Sequence, residues 1–260
     1  MEKKTSKTRL DIELAKRGLA PSREKAKALI MAGDVLVDHQ VVYKADKTVT
    51  DENVIELKQK FPYASRGAFK IESAFNEFAV DMNGLKALDI GISTGGFTDY
   101  MLKHGAIHVT GVDVNIQQVD CHLREDPRVT LVKANARYLT RDEIAYEPDV
   151  ITIDVSFISI TKILPALAAF KNARIISLVK PQFEAKREKI GKGGVIRSTD
   201  RQAEVVLDLK QQLEELGFGI TGFTFAGVKG RKGNQEYFFL LEYGKESTIN
   251  DIIINNAIKL

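Results

Sequence analysis

Five short apolar runs, at residues 86–90, 109–114, 129–133, 149–155 and 174–180, constrain this chain more than any other feature. Segments with apolar residues at helical spacing separate them, near 97–104, 116–125, 138–145 and 159–170. Strands that alternate with helices bury both faces of a sheet only when the sheet is largely parallel and layered with those helices. Two of the runs, VITIDV and RIISLV, are continuous rather than alternating, which predicts central strands covered on both sides. A long helix over 200–216 then precedes two more strand candidates, 218–226 and 236–243, expected as an antiparallel pair. The pattern predicts an α/β domain over 63–244 with a central, mostly parallel seven-stranded sheet, and a C-terminal tail or helix over 245–260.

Residues 1–56 read differently. RLDIELAKRG and SREKAKALIMAG each carry apolar residues at helical spacing, with Ser22 placed as an N-cap and Gly33 as a stop. DVLVDHQVVYKADKTVT alternates, turns at Asp38-His39-Gln40 and alternates again. The expectation is a small α+β unit, a helix-turn-helix followed by a hairpin. A linker over 57–62, ended by Pro62, leads into the larger domain.

Composition excludes several functions. The single cysteine, Cys121, rules out an internal disulfide, and beside His122 it has no second ligand pair at metal spacing, so no metal site is expected. No apolar run reaches the roughly 18–20 residues of a membrane span. No hydrophobic signal core follows the basic N-terminus, so a cytoplasmic protein is expected. The net charge is only +3, but its distribution is uneven. Residues 1–33 hold nine Lys or Arg against four Asp or Glu, residues 180–197 six against two, and GVKGRKGNQ (227–235) three against none. Such clusters suit a polyanionic partner. Arg23 and Lys27, four apart on one helix, project together.

ALDIGISTGGF places Gly91, Gly95 and Gly96 just after the first strand of the large sheet, where ligands of open α/β sheets bind. The pattern is not the dinucleotide fingerprint and opens on an acid, Asp89, suited to a cationic amino-acid moiety and unsuited to a pyrophosphate. Asp113 ends the next strand, where a carboxylate meets ribose hydroxyls. Asn135 and Ala136, after the third strand, are placed to meet an adenine edge. Ribose, adenine and an amino-acid end together describe S-adenosylmethionine. The expected pocket also includes Ser93, Thr94, Phe97, Val114 and Asp154.

Four charged residues converge on the same crevice. Asp154 and Lys180 end adjacent strands, Lys70 lies in a helix ahead of the first strand, and Glu236 opens the last. A hydroxyl acceptor is a poor nucleophile that must be oriented and must lose its proton as the new bond forms. A lysine held between two carboxylates is suited to that task, whether as general base or as orienting cation. The fourth strand ends in DVSF, without the proline that amino-nitrogen methylation places between the acid or amide and the aromatic, which favours an oxygen acceptor.

Two resemblances extend this reading. RLD…SREKAKALIMAGDVLVDHQVV resembles the small RNA-binding domain shared by a small-subunit ribosomal protein, pseudouridine synthases and tyrosyl-tRNA synthetases. LDIGISTGGFTDYML, DVSFIS, LVKPQFE and GNQEYF resemble FtsJ-like (RrmJ-type) RNA 2′-O-ribose methyltransferases, with Lys70, Asp154, Lys180 and Glu236 matching their Lys–Asp–Lys–Glu tetrad. Over residues 9–243 the chain is similar to the TlyA/hemolysin A family of ribosomal RNA methyltransferases. One departure is Ser93, where many relatives have glycine. The resemblance implies a Rossmann-like class I methyltransferase fold, S-adenosylmethionine as cofactor, and 2′-O-methylation, of cytidine, in ribosomal RNA or ribosomal subunits without an obligate protein partner. It further implies RNA contacts from Arg9, Arg23, Lys27, Arg66, Lys186, Arg187, Lys189, Lys192 and Arg231. The competing readings are a non-catalytic RNA-binding assembly factor, against which the intact tetrad and glycine loop weigh, and a hemolysin, which no membrane-active segment supports.

Overall fold

The computed structural model describes residues 7–57, 62–185, 191, 193–230 and 233–259. The chain divides into two compact units, Met1–Pro62 and Tyr63–Leu260.

The first unit holds β1 (Thr8–Arg9), α1 (Leu10–Lys16), α2 (Arg23–Met31), β2 (Val35–Val37), β3 (Gln40–Val41), β4 (Thr48–Val49) and β5 (Ile55–Leu57). Ser22 caps α2, its hydroxyl accepting from Lys25 N at 3.2 Å. The hairpin turn falls on Asp38 and His39, both in left-handed backbone, so Gln40 already belongs to β3. Such a two-residue turn matches the twist of the strands it joins. The strands pair more widely than a single hairpin: β2 lies between β3 and β5, and β1 pairs with β4. Leu10, Leu14, Ala26, Ile30, Val35 and Val37 form a separate small core.

The second unit contains α3 (Gly67–Glu77), β6 (Lys86–Ile90), α4 (Gly96–Lys103), β7 (His108–Asp113), α5 (Cys121–Arg124), β8 (Val129–Lys133), β9 (Val150–Ile153), α6 (Leu164–Leu167), β10 (Arg174–Val179), α7 (Pro181–Glu184), α8 (Thr199–Glu215), β11 (Phe218–Phe225), β12 (Tyr237–Tyr243) and α9 (Asp251–Lys259). Its seven-stranded sheet has the order β11-β12-β10-β9-β6-β7-β8. The five strands from β10 to β8 are parallel, while β12 runs antiparallel between β10 and β11. Every residue of β9 is buried, as its continuous apolar run requires, whereas β8 at the sheet edge is only half-buried. Two cores cover the two faces of the sheet, and α9 contributes Ile254 and Ile258 to one of them.

Three expected helices are broken up. Residues 116–125 form a 3₁₀ turn and the four-residue α5, with Asn115 and Asp120 capping each start. Residues 138–145 hold no α-helix, only 3₁₀ turns at Ala136–Tyr138 and Arg141–Glu143, started by Asn135 and Thr140. Within 159–170 the α-helix is reduced to Leu164–Leu167. The Asn and Asp side chains bind nearby backbone amides, and the Glu143 carboxylate accepts from the amide and hydroxyl of Thr140, so turns start where a longer helix would otherwise run.

Candidate active site

The sheet reverses its winding at β6, since β7 and β8 follow on one side of it and the chain then returns to place β9 and β10 on the other. A crevice opens at the carboxyl ends of strands at such a switch point. Here it measures about 1290 Å³, and its wall includes the turn after β6, the ends of β9 and β10, the start of α3 and the segment leading into β12.

The turn after β6 is tied down from two sides. Gly91 has φ 82°, and a Cβ there would stand 2.5 Å from the carbonyl oxygen of Asp154, so only glycine lets this loop lie against the end of β9. Ser93, also left-handed at φ 51°, donates its amide to Asp113 Oδ2 at 2.9 Å, while Asn115 N binds Asp113 Oδ1 at 2.9 Å. This backbone conformation is one that glycine adopts at no steric cost, so glycine would fit at Ser93. Below the loop, Asp89 is buried. Its two oxygens accept from Thr98 Oγ1 at 2.7 Å and Thr152 Oγ1 at 2.8 Å. Burial pushes its pKa up to about 6, against the pull of those hydroxyls.

Of the residues expected around the cofactor, Asp89, Gly91, Ser93, Thr94, Gly96, Phe97 and Asp154 line this crevice. Gly95 lies behind it, as the left-handed residue that starts α4. Asp113, Val114, Asn135 and Ala136 are not on its wall; they follow the neighbouring strands β7 and β8 along the same edge of the sheet. Asn135 Oδ1 accepts from Arg137 N at 3.1 Å.

The four charged residues reach the crevice as two separate ion pairs. Lys180 stands one residue beyond β10 and caps α7, whose first residue is Pro181. Its Nζ donates to Asp154 Oδ1, to the carbonyl of Val155 at 2.8 Å and to Ser156 Oγ at 3.1 Å. Three acceptors around one nitrogen are the arrangement of an ammonium with all its donors engaged. Lys70, on α3, binds Glu236 Oε2 at 2.6 Å. Lys180 therefore does not lie between two carboxylates as the sequence suggested. Glu236 reaches the site from the antiparallel strand β12, and Lys70 takes it.

Glu236 is buried against Gly230, where a Cβ would fall 2.1 Å from Oε1. Gln182 Nε2 also faces Oε1, at 3.4 Å, and Glu184 accepts from Ile160 N at 3.1 Å. Burial holds the Glu184 pKa above the usual carboxylate range. At the mouth, Phe157 is 90% exposed, left-handed at φ 65°, with its ring centroid 4.9 Å from that of Phe183. Ser156, Phe157, Gln182 and Phe183 escaped the sequence reading, although each follows a tetrad residue within three positions, in DVSF and KPQF.

Of the residues expected to contact RNA, Arg66 is exposed on the crevice wall. In the first unit, Arg9 and Arg23 both bind the buried carboxylate of Asp11, through Nε contacts at 3.0 and 2.9 Å. The Arg9 and Arg23 guanidiniums hold the Asp11 pKa down to about 2, against its burial. Lys27 is half-buried. Lys186, Arg187, Lys189, Lys192 and Arg231 lie outside the described residues. Among the described residues no cluster of His, Cys, Asp or Glu could hold a metal ion, and no helix is long and apolar enough to cross a membrane.

Comparison with known proteins matches residues 63–243 to the FtsJ-like methyltransferase model and residues 8–55 to the S4 domain. The chain is 40% identical over 240 residues to the 16S/23S rRNA (cytidine-2′-O)-methyltransferase TlyA of Mycobacterium tuberculosis, covering 90% of each chain. It is 40% identical over 233 residues to Hemolysin A of Brachyspira hyodysenteriae, covering 88% of this chain and 97% of that one. A solved hemolysin-like structure from Streptococcus thermophilus is 36% identical and superposes with a TM-score of 0.74, over 98% of this chain and 95% of the other.

Proposed function

Because the chain belongs to the FtsJ-like methyltransferases, in the TlyA/hemolysin A group with an N-terminal S4 domain, we propose that it methylates the 2′-oxygen of a cytidine in ribosomal RNA, using S-adenosylmethionine. The observation that carries this reading is the convergence of two lysine–carboxylate pairs, Lys180–Asp154 and Lys70–Glu236, on the crevice beside the glycine turn.

The residues present fit the cofactor. The close approach of Gly91 to the Asp154 carbonyl holds the turn after β6 on the crevice wall, and the carboxylate of Asp113 stands at the end of the neighbouring strand. Bound there, S-adenosylmethionine supplies a methyl group on a cationic sulfur. Asp89 acts from beneath: each of its oxygens accepts from one threonine hydroxyl and keeps a further lone pair, so it shapes the loop and favours the cationic ammonium of the ligand.

At the acceptor, the Lys180 ammonium is held by Asp154 and by the backbone of Val155, and it presents a positive, hydrogen-bonding surface to an incoming hydroxyl oxygen. Its role is to orient the nucleophile and to stabilise the oxygen as its proton leaves. Asp154 keeps a second oxygen, Oδ2, to receive that proton. Lys70 and Glu236 form a second ion pair on the crevice wall, and the exposed ring of Phe157 offers a stacking face for the acceptor base. The S4 unit and Arg66 contact RNA phosphates, and the protein works in the cytoplasm, where its substrate is made.

The reading is tested by incubating the protein with ribosomal RNA and methyl-labelled S-adenosylmethionine, then digesting the RNA to nucleosides. Label is expected in 2′-O-methylcytidine, and Lys180→Ala is expected to lose it while retaining RNA affinity. Label found only in methylated bases would overturn the reading.

A further inference from the structure

The third acceptor around Lys180 differs in kind from the other two. Asp154 and Val155 hold Nζ from the end of β9, one through a carboxylate and one through a backbone carbonyl fixed by the fold. Ser156 Oγ, at 3.1 Å, is on a side chain that turns about one bond, and the residue is exposed on the crevice wall. A hydroxyl has one donor and two lone pairs. One lone pair meets Lys180, and no other group among the described residues binds the Ser156 hydroxyl. Its donor and its second lone pair are therefore available to the crevice, next to an ammonium whose own donors are all engaged.

The other acceptors nearby are less suited to hold a neutral hydroxyl. Glu236 is buried and taken by Lys70. Gln182 turns its amide nitrogen to Glu236, and its Oε1 is closed off from solvent. An ammonium with three acceptors gives up the longest and most mobile of them most readily, and here that is Ser156.

From this arrangement we infer that Ser156 orients the acceptor 2′-hydroxyl. As the 2′-oxygen accepts the hydrogen bond that Lys180 gives Ser156, Ser156 Oγ accepts the hydroxyl's own hydrogen bond, leaving an oxygen lone pair directed at the methyl group. As the C–O bond forms and the C–S bond breaks, the hydroxyl turns from Ser156 to Asp154 Oδ2, which receives the proton. Ser156 touches the substrate without taking its proton, and its contact is specific for a ribose, since a 2′-deoxy sugar offers no hydroxyl to either partner. The inference rests on reading the crevice as a ribose methyltransferase site.

Single-turnover methylation of ribosomal RNA by the wild-type protein, Ser156→Ala, Ser156→Thr and Lys180→Ala separates the two claims. Ser156→Ala is expected to slow transfer at saturating RNA about tenfold, the loss of one orienting hydrogen bond, with KM for RNA and affinity for S-adenosylmethionine little changed. Ser156→Thr, which keeps the hydroxyl, is expected to restore most of the rate. Because Ser156 is exposed, the variants should melt with the wild type. A Ser156→Ala rate equal to wild type, a change in KM alone, or a loss that threonine does not restore would overturn the inference while leaving the site reading intact. A wild-type protein that transfers no methyl to ribose would overturn both.

Discussion

At the residue scale, the site depends on a few groups whose surroundings fix their state. Asp89 is the clearest case, because burial raises its pKa to about 6 in the folded chain, above the ordinary 3.8. A folded state that holds a proton more tightly than the unfolded one loses stability as pH rises through the interval between the two values. Asp89 should therefore cost stability between about pH 4 and 6, on the order of 3 kcal/mol across a two-unit shift. Denaturant titrations at pH 4, 5 and 6 are expected to show that slope in the wild type and a shallower one in Asp89→Asn; identical slopes would contradict the assignment. Gly230 offers a second residue-level test. A methyl there would stand where Glu236 Oε1 now lies, so Gly230→Ala is expected to displace the carboxylate from Lys70 and slow methyl transfer, with a rate equal to wild type as the contrary result.

Among the elements, α7 does more than its four residues suggest. Lys180, its cap, binds Asp154; Gln182 faces Glu236; Phe183 meets Phe157; Glu184 holds the amide of Ile160. Pro181 fits at the first position of a helix, where no amide proton is required, and so it starts α7 at the crevice edge rather than merely ending β10. The strands of the seven-stranded sheet were legible in the sequence within one or two residues because burial on both faces imposes continuous apolar runs such as VITI and RIISLV, whereas β1 and β5 of the first unit were not. The connections were not, because Asn115, Asp120, Asn135 and Thr140 start short turns, a choice that depends on local side-chain bonds. At the site, Lys70, Asp154, Lys180 and Glu236 were legible as charges at element ends. Which lysine pairs with which carboxylate depends on β12 entering the sheet between β10 and β11, and no local pattern encodes that. In the first unit, the cap of α2 gives a test of the local argument. Ser22→Ala is expected to cost that unit about 1 kcal/mol, read from its unfolding, and an unchanged stability would remove the cap from the account.

On the scale of the whole molecule, a net charge of +3 is less informative than where the positive charge sits. Arg9 and Arg23 share Asp11, so the three side chains carry one net positive charge, whereas Lys27 feels Glu24 without an ion pair and Arg66 forms no ion pair among the described residues. Replacing Arg23 and Lys27 together by alanine is expected to weaken RNA binding and to reduce the slope of log affinity against log salt by about one to two. An unchanged slope would take that helix off the RNA surface. Ribose methylation of ribosomal RNA is tested most directly by mass-spectrometric mapping of ribosomal RNA from cells with and without the protein. The expected result is a 2′-O-methylcytidine that disappears with the protein and returns with the wild-type chain but not with Lys180→Ala. Identical ribose methylation in both RNAs would contradict the proposed activity.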